Sequence, residues 1–168
     1  MVHDEKELLK EIFENVNYWI AFGEAKNAGL LAFDIAVLAI IFSGEEINIW
    51  GYILAIFIMI SILCVFLAMW SRFDVIWENK GVPNLEDNLL YYRDIAKYSE
   101  QEYIISIYKK YLNRNIENVD DVGLYIKHLA SEICINAKIA CKKYNAFNMA
   151  VALDGIAIIV MLVLTIIA

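Results

Sequence analysis

The hydrophobic and polar positions along this chain fall into two textures. Some stretches alternate at helical spacing, and others are apolar on every side. From Ile47 to Ser71 the sequence reads INIWGYILAIFIMISILCVFLAMWS, without a charged residue. A hydrocarbon core of about 30 Å needs about 20 apolar residues as a helix, so this run predicts a span. Trp50 and Trp70 stand near its ends, at the level where tryptophan favours the interface. A soluble helix is rarely apolar all round.

A second span is predicted from Asn27 to Ser43, apolar except for Asp34. Its nine Leu, Ile, Phe and Val residues each favour insertion by about 0.3–0.6 kcal/mol, and a central Asp costs about 2.5–3.5 kcal/mol. The sum is close to balance, so this helix needs a neighbour in the bilayer. Gly44-Glu45-Glu46 leaves room only for a tight link, which predicts an antiparallel hairpin. The third span is Ala150 to Ala168, interrupted by Asp154 and reaching sufficient length when extended back to Tyr144. The first residues, MVHDEKELLKE, are mixed in charge, so no cleavable secretory leader is expected.

Between and before the spans the period is helical. Leu8, Leu9, Ile12, Phe13, Val16, Trp19 and Ile20 form one face of an N-terminal helix that runs into the first span with only Gly23 as interruption. Ile104, Ile107, Tyr108 and Tyr111 share a face. So do Val122, Ile126, Leu129, Ile133 and Ala137, on a helix continuing without proline into the third span. That helix is expected to run 45 to 50 residues, about 70 Å. Four helix starts are expected: Asp4 with Glu7, Asn84 with Asp87, Ser99 with Glu102, and Asn118 with Asp121. Each sets an acceptor at the cap and a carboxylate three residues on. Only Ser99 with Glu102 is a strict capping box. Residues 78–87 are the expected linker, and 89–96 takes no firm assignment. The predicted fold is therefore an all-α membrane protein: an amphipathic helix (1–26), a transmembrane hairpin (27–71), a helical region (72–143) and a long helix ending in a third span (144–168).

Composition sharpens this picture. The chain has 168 residues, 61% of them hydrophobic, with seven glycines and one proline. An average soluble domain holds about 45–50% apolar residues, and so few turn residues argue against an all-β fold. The net charge of −7 speaks against a nucleic-acid partner. All 14 Lys and Arg residues lie outside the hairpin loop and the final span. By the positive-inside rule the N-terminus and central region are cytoplasmic, and the C-terminus lies outside.

Candidate chemistry centres on Asp34 and Asp154, because an ionisable residue inside a span is functional by default. In an oligomer they would line a polar path that favours cations; alternatively each is protonated or bonded to a neighbour and specifies packing. Counted from the outer ends of the predicted spans, Asp34 lies about 13 Å deep, near the midplane, and Asp154 about 21 Å, nearer the cytoplasm. Glu24, Lys26 and Asn27 form a polar cluster where the first span begins, and Asn136, Lys138, Lys142 and Lys143 one before the third. The lysines fit interfacial snorkelling. Glu24 or Asn27 is expected to pair with the C-terminal helix, and Asn136 to need a partner. Lys26–Ala36 and Lys143–Ala157 echo each other weakly, each with a basic residue, an Asn and then an intramembrane Asp. Cys64, Cys134 and Cys141 are an odd set that should stay reduced. His3 and His128 are isolated, so no metal is expected. No P-loop, GxGxxG, GxSxG or HExxH occurs, and the chain reads as a non-enzyme without a cofactor.

Three segments carry a resemblance. EAKNAGLLAFD (24–34) enters the first span, LLYYRDIAKYSEQEYI (89–104) lies in the polar helical region, and NAKIACKKYNAF (136–147) leads into the last span. In this order they resemble the Pycsar effector transmembrane family of bacterial anti-phage defence, over nearly the whole chain. Glu24, Lys26, Asn136, Lys143 and Tyr144 carry the match. The resemblance implies an inner-membrane protein acting downstream of a cyclase that senses infection. A cyclic nucleotide activates such an effector, which then compromises the membrane and halts growth or kills the cell. It implies a homo-oligomer in the lipid bilayer, with the nucleotide as ligand. Some effectors of this plan carry a separate nucleotide-binding domain, for which this chain has no room. The helical region then senses the signal, or a partner sensor protein does, or the defence arrangement differs. Arg72, Arg93, Lys109, Lys110 and Arg114 are the basic candidates for an anionic ligand. From a different class, a constitutive membrane anchor that recruits a partner through the amphipathic helices is the alternative.

Overall fold

The computed structural model describes residues 4–44, 47–70, 81–116 and 118–167. Among them the chain is helical and contains no strand. Helix α1 runs Glu5–Phe42, α2 Ile49–Met69, α3 Tyr92–Ile95, α4 Glu100–Tyr111 and α5 Leu124–Ile167. Helices α1 and α5 have 38 and 44 residues and pass through the predicted span boundaries without a break. Gly23 does not interrupt α1. Three helices, α1, α2 and α5, are long and apolar enough to cross a membrane.

The chain divides into two compact units, the first from residues 1–22 and 77–142 and the second from 23–76 and 143–168. The first unit is an ordinary helical core. Leu9, Ile12 and Val16 of α1 are buried, as are Tyr92 and Ile95 of α3, Tyr103, Ile104 and Ile107 of α4, and Ile126, Ala130 and Ile133 of α5. On α1, α4 and α5 the spacing marks Leu9, Ile12, Val16, Ile104, Ile107, Ile126 and Ile133; Tyr92 and Ile95 lie in the unassigned stretch. The tyrosine hydroxyls reach the acceptors a buried phenol needs. Tyr103 donates to the Leu89 carbonyl (3.0 Å), Tyr98 to that of Asn84 (3.0 Å) and Tyr108 to the Glu5 carboxylate (2.8 Å).

The expected helix starts divide. Ser99 and Glu102 form the reciprocal capping box that opens α4, and α1 begins one residue after Asp4. Asn84 and Asp87 start no helix: Asp87 accepts the Asn84 N–H (2.8 Å) across a turn and is held by Lys97 (2.6 Å). Asn118 caps only a 3-10 turn, Val119–Asp121, through the Asp120 N–H. Gly123 then precedes the true start at Leu124, so Val122 lies outside α5. The unassigned 89–96 holds the four-residue α3, too short to show a period. The loop glutamates Glu45 and Glu46, residues 78–80 of the expected linker, and His3 lie outside the described residues.

The second unit packs the apolar parts of α1 and α5 with α2. Leu54, Ile58 and Ala157 form one buried cluster with Val37, Leu38 and Ile41 against it. Cys64, Val65 and Ala150 form another with Leu30, Leu31 and Leu153. Ala146, Ala150 and Ala157 are buried along α5. Small residues let membrane helices approach closely where no hydrophobic effect drives them together. On the opposite side α2 exposes Ile56, Met59, Leu63 and Phe66, a surface suited to acyl chains.

Candidate functional site

Each of the three apolar helices contributes one polar side chain to a single buried point. Asp34 of α1, Ser61 of α2 and Asp154 of α5 are 0%, 0% and 4% exposed. The Ser61 hydroxyl lies 3.0 Å from Asp34 Oδ2 and 3.1 Å from Asp154 Oδ2. Each carboxyl leaves its other oxygen, Oδ1, buried without a hydrogen bond among the described residues. Isolated carboxylates in so apolar a place would be very costly, which is why helix packing brings them to one hydroxyl.

The sequence singled out both aspartates but set them at different depths. The structure corrects this: they meet at the same level. Counting from span ends failed because α5 runs 13 residues past Asp154, whereas α1 runs 8 past Asp34. Ser61 escaped the sequence reading. Its only signal was a hydroxyl in the middle of an otherwise apolar run.

A second polar group ties α1 to α5 within the same unit. Asn27 is fully buried, and its Nδ2 donates to the Gly23 carbonyl (2.9 Å) and the Lys143 carbonyl (3.2 Å). Lys143 pairs with Glu24 (2.9 Å). The Lys26 ammonium lies 5.5 Å from the Tyr144 ring centre and 4.9 Å from that of Phe147, within reach of cation–π attraction. Gly23 makes this approach possible: a Cβ there would stand 3.3 Å from Tyr144 Cε2 and 3.4 Å from Lys143 Cβ. Asn136 sits in the first unit and donates to Asn17 Oδ1 (2.8 Å).

The described basic candidates have different surroundings. Arg72 lies outside the described residues. Arg93 is on α3, and Arg114 pairs with Glu5 (3.3 Å). Lys109 and Lys110 line a cavity of about 500 Å³ in the first unit, together with Asn84, Leu89, Tyr98 and Glu102. Lys110 also donates to the Leu85 carbonyl (3.1 Å). Nearby, the Lys97 ammonium is pushed up to about 12 by its bonds to Asp87 and Asp94. Burial pulls Asp87 upward, but Lys97 and the Asn84 N–H outweigh it and leave the carboxyl below its usual value.

All three thiols are free and buried. Burial pushes Cys134 up to about 12, which disfavours its thiolate form. Among the described residues no three His, Cys, Asp or Glu side chains are placed to hold a metal ion.

No curated protein and no solved structure matches the chain. The family model for the Pycsar effector protein domain matches residues 8–168, which takes in both units and all three apolar helices. The chain therefore belongs to the Pycsar effector family, a family of anti-phage defence effectors with transmembrane helices.

Proposed function

We propose that this protein permeabilises the bacterial inner membrane when a cyclic-nucleotide-type signal arrives, and so arrests or kills the infected cell. The observation that carries the reading is the buried meeting of Asp34, Ser61 and Asp154. A passive anchor needs only apolar helices, and two carboxyls at the heart of the unit make one costly to build. Rearranged toward a water-filled path, the same carboxyls would favour cations. Three spans per chain are too few to enclose such a path, so several copies assemble around it. The charge distribution supports a cytoplasmic N-terminus and polar unit, with the C-terminus outside. The action is electrostatic and mechanical rather than catalytic.

The cavity beside Lys109 and Lys110 supports a small anionic trigger. Its volume of about 500 Å³ lies within the usual range of ligand sites, ~300–1,000 Å³. An aromatic ring, an amide and two cations on apolar walls suit a nucleotide base and phosphate. The signal would shift a closed–open equilibrium by binding one state better.

The test is controlled expression in bacteria with a membrane-potential dye. Wild type is expected to arrest growth and depolarise the cells. Asp34→Asn and Asp154→Asn are expected to reach the membrane in equal amount and lose most of that depolarisation. Unchanged depolarisation in both variants would sink the reading. Capture of a cytoplasmic partner without depolarisation would point instead to a scaffold.

A further inference from the structure

A serine hydroxyl has one hydrogen. It donates one hydrogen bond and accepts others. Ser61 Oγ stands at hydrogen-bond distance from both Asp34 Oδ2 (3.0 Å) and Asp154 Oδ2 (3.1 Å). An ionised carboxylate only accepts. If both aspartates were ionised, one of these contacts would set a carboxylate oxygen against a serine lone pair, with no hydrogen between them. With one hydrogen, Ser61 makes two full hydrogen bonds only if one carboxyl carries a proton and donates it to Ser61 while Ser61 donates to the other; two carboxylates could at best share that hydrogen weakly.

We infer that the Asp34–Ser61–Asp154 bridge is a proton-binding site, holding at least one carboxyl proton whenever the three helices are packed. Two further observations point the same way. All three side chains are buried, away from bulk water. Both Oδ1 atoms are buried without a hydrogen bond among the described residues, an arrangement tolerable for a carbonyl-like acid oxygen and costly for an anion. No cation in the described residues bonds to either carboxyl. The titratable groups facing the bridge are the two carboxyls, on α1 and α5, and the buried Cys64 thiol on α2, which interacts electrostatically with Asp154. None of these is positively charged, so none can replace the proton.

The proton is then the latch of the packed unit. It joins α1 to α5 through α2. Its departure leaves two like charges competing for one hydroxyl hydrogen, which disfavours the packed state. This deepens the proposed function: the pair holds a proton at rest, and both carboxyls are charged only when the helices part. The bridge itself stands on the hydrogen count and does not need that function.

The experiment is infrared spectroscopy of the full-length protein in lipid vesicles at neutral pH, with aspartate carbon-13 labelled at the carboxyl. The expected result is a carboxylic-acid C=O stretch that shifts with the label and on hydrogen–deuterium exchange. It should vanish in Asp34→Asn and in Asp154→Asn alike. An asparagine amide can donate to Ser61, so the remaining aspartate needs no proton. A labelled wild-type spectrum with carboxylate bands only would overturn the inference, with no variant required. Persistence of the acid band in both folded single variants would overturn it too. A band without any membrane leak would leave the proton in place and defeat the functional reading. A leak without the band would do the reverse.

Discussion

Lys97 shows how single residues decide the first unit. Its ammonium reaches Asp87 and Asp94, both at 2.6 Å, and Asp87 in turn closes the turn that begins at Asn84. Lys97→Met removes both bonds and leaves the buried Asp87 carboxylate without its cation. Hydrogen bonds to charged groups contribute about 1.5–3 kcal/mol, and a loss of that order is expected in thermal unfolding of the first unit. The pH dependence follows from the directions of the two shifts. Asp87 is depressed, so its contribution is present above its unfolded pKa of about 3.9 and fades as pH falls below that. Lys97 is raised, so its share is full below its unfolded pKa of about 10.4 and fades as pH rises toward 12. Lys97→Met should flatten both limbs. A variant as stable as wild type, with the same acid limb, would contradict this.

How far residues can be read from sequence depends on what makes them stand out. Asp34 and Asp154 are legible because a charge in an apolar run has a known cost. Ser61 is not, because one hydroxyl there costs little and has many innocent explanations. Its importance comes from the register of three helices, which no local pattern encodes. Asn27 stood out as a polar residue at the start of a span, yet nothing local marked Gly23 as its acceptor.

At the scale of elements, α1 and α5 are joined by a close approach rather than by bulk. Gly23 leaves the space, Asn27 bonds across it, and Glu24–Lys143 closes the edge. Gly23→Leu should push the helices apart, because the neighbours at 3.3 and 3.4 Å from a Cβ leave no room for three more carbons. Overpacking of this kind costs about 1–3 kcal/mol. Asn27→Leu should cost less, about 0.6–1.7 kcal/mol, the scale of one interhelical hydrogen bond in lipid. Steric-trap or denaturant unfolding in bicelles would read both, with Gly23→Leu the more damaging. The reverse order would mean that the hydrogen bond, and not the space, sets the approach.

Element existence was legible wherever a long pattern repeated. The three spans, the continuity of α1 and α5, and the Ser99 box all follow from composition and spacing. The misplaced starts have local causes. At Asn84 the carboxylate three residues on is taken by Lys97 and by a turn, and at Asn118 a glycine five residues later restarts the helix. Four residues of α3 carry no periodicity to read.

For the molecule as a whole, the second unit has the composition of a membrane bundle and the first that of a soluble core with a small cavity. The proposed effector needs both. In the proposal the first binds a signal, and the second holds a protonated carboxyl pair that a rearrangement would expose. The direct measurement is dye release from vesicles carrying the purified full-length protein, with and without a panel of cyclic mononucleotides and cyclic oligonucleotides. Release that one nucleotide induces, and that Lys109→Ala weakens at limiting nucleotide, is the result this account expects. No release with any nucleotide, from protein shown to be folded and inserted, would contradict it.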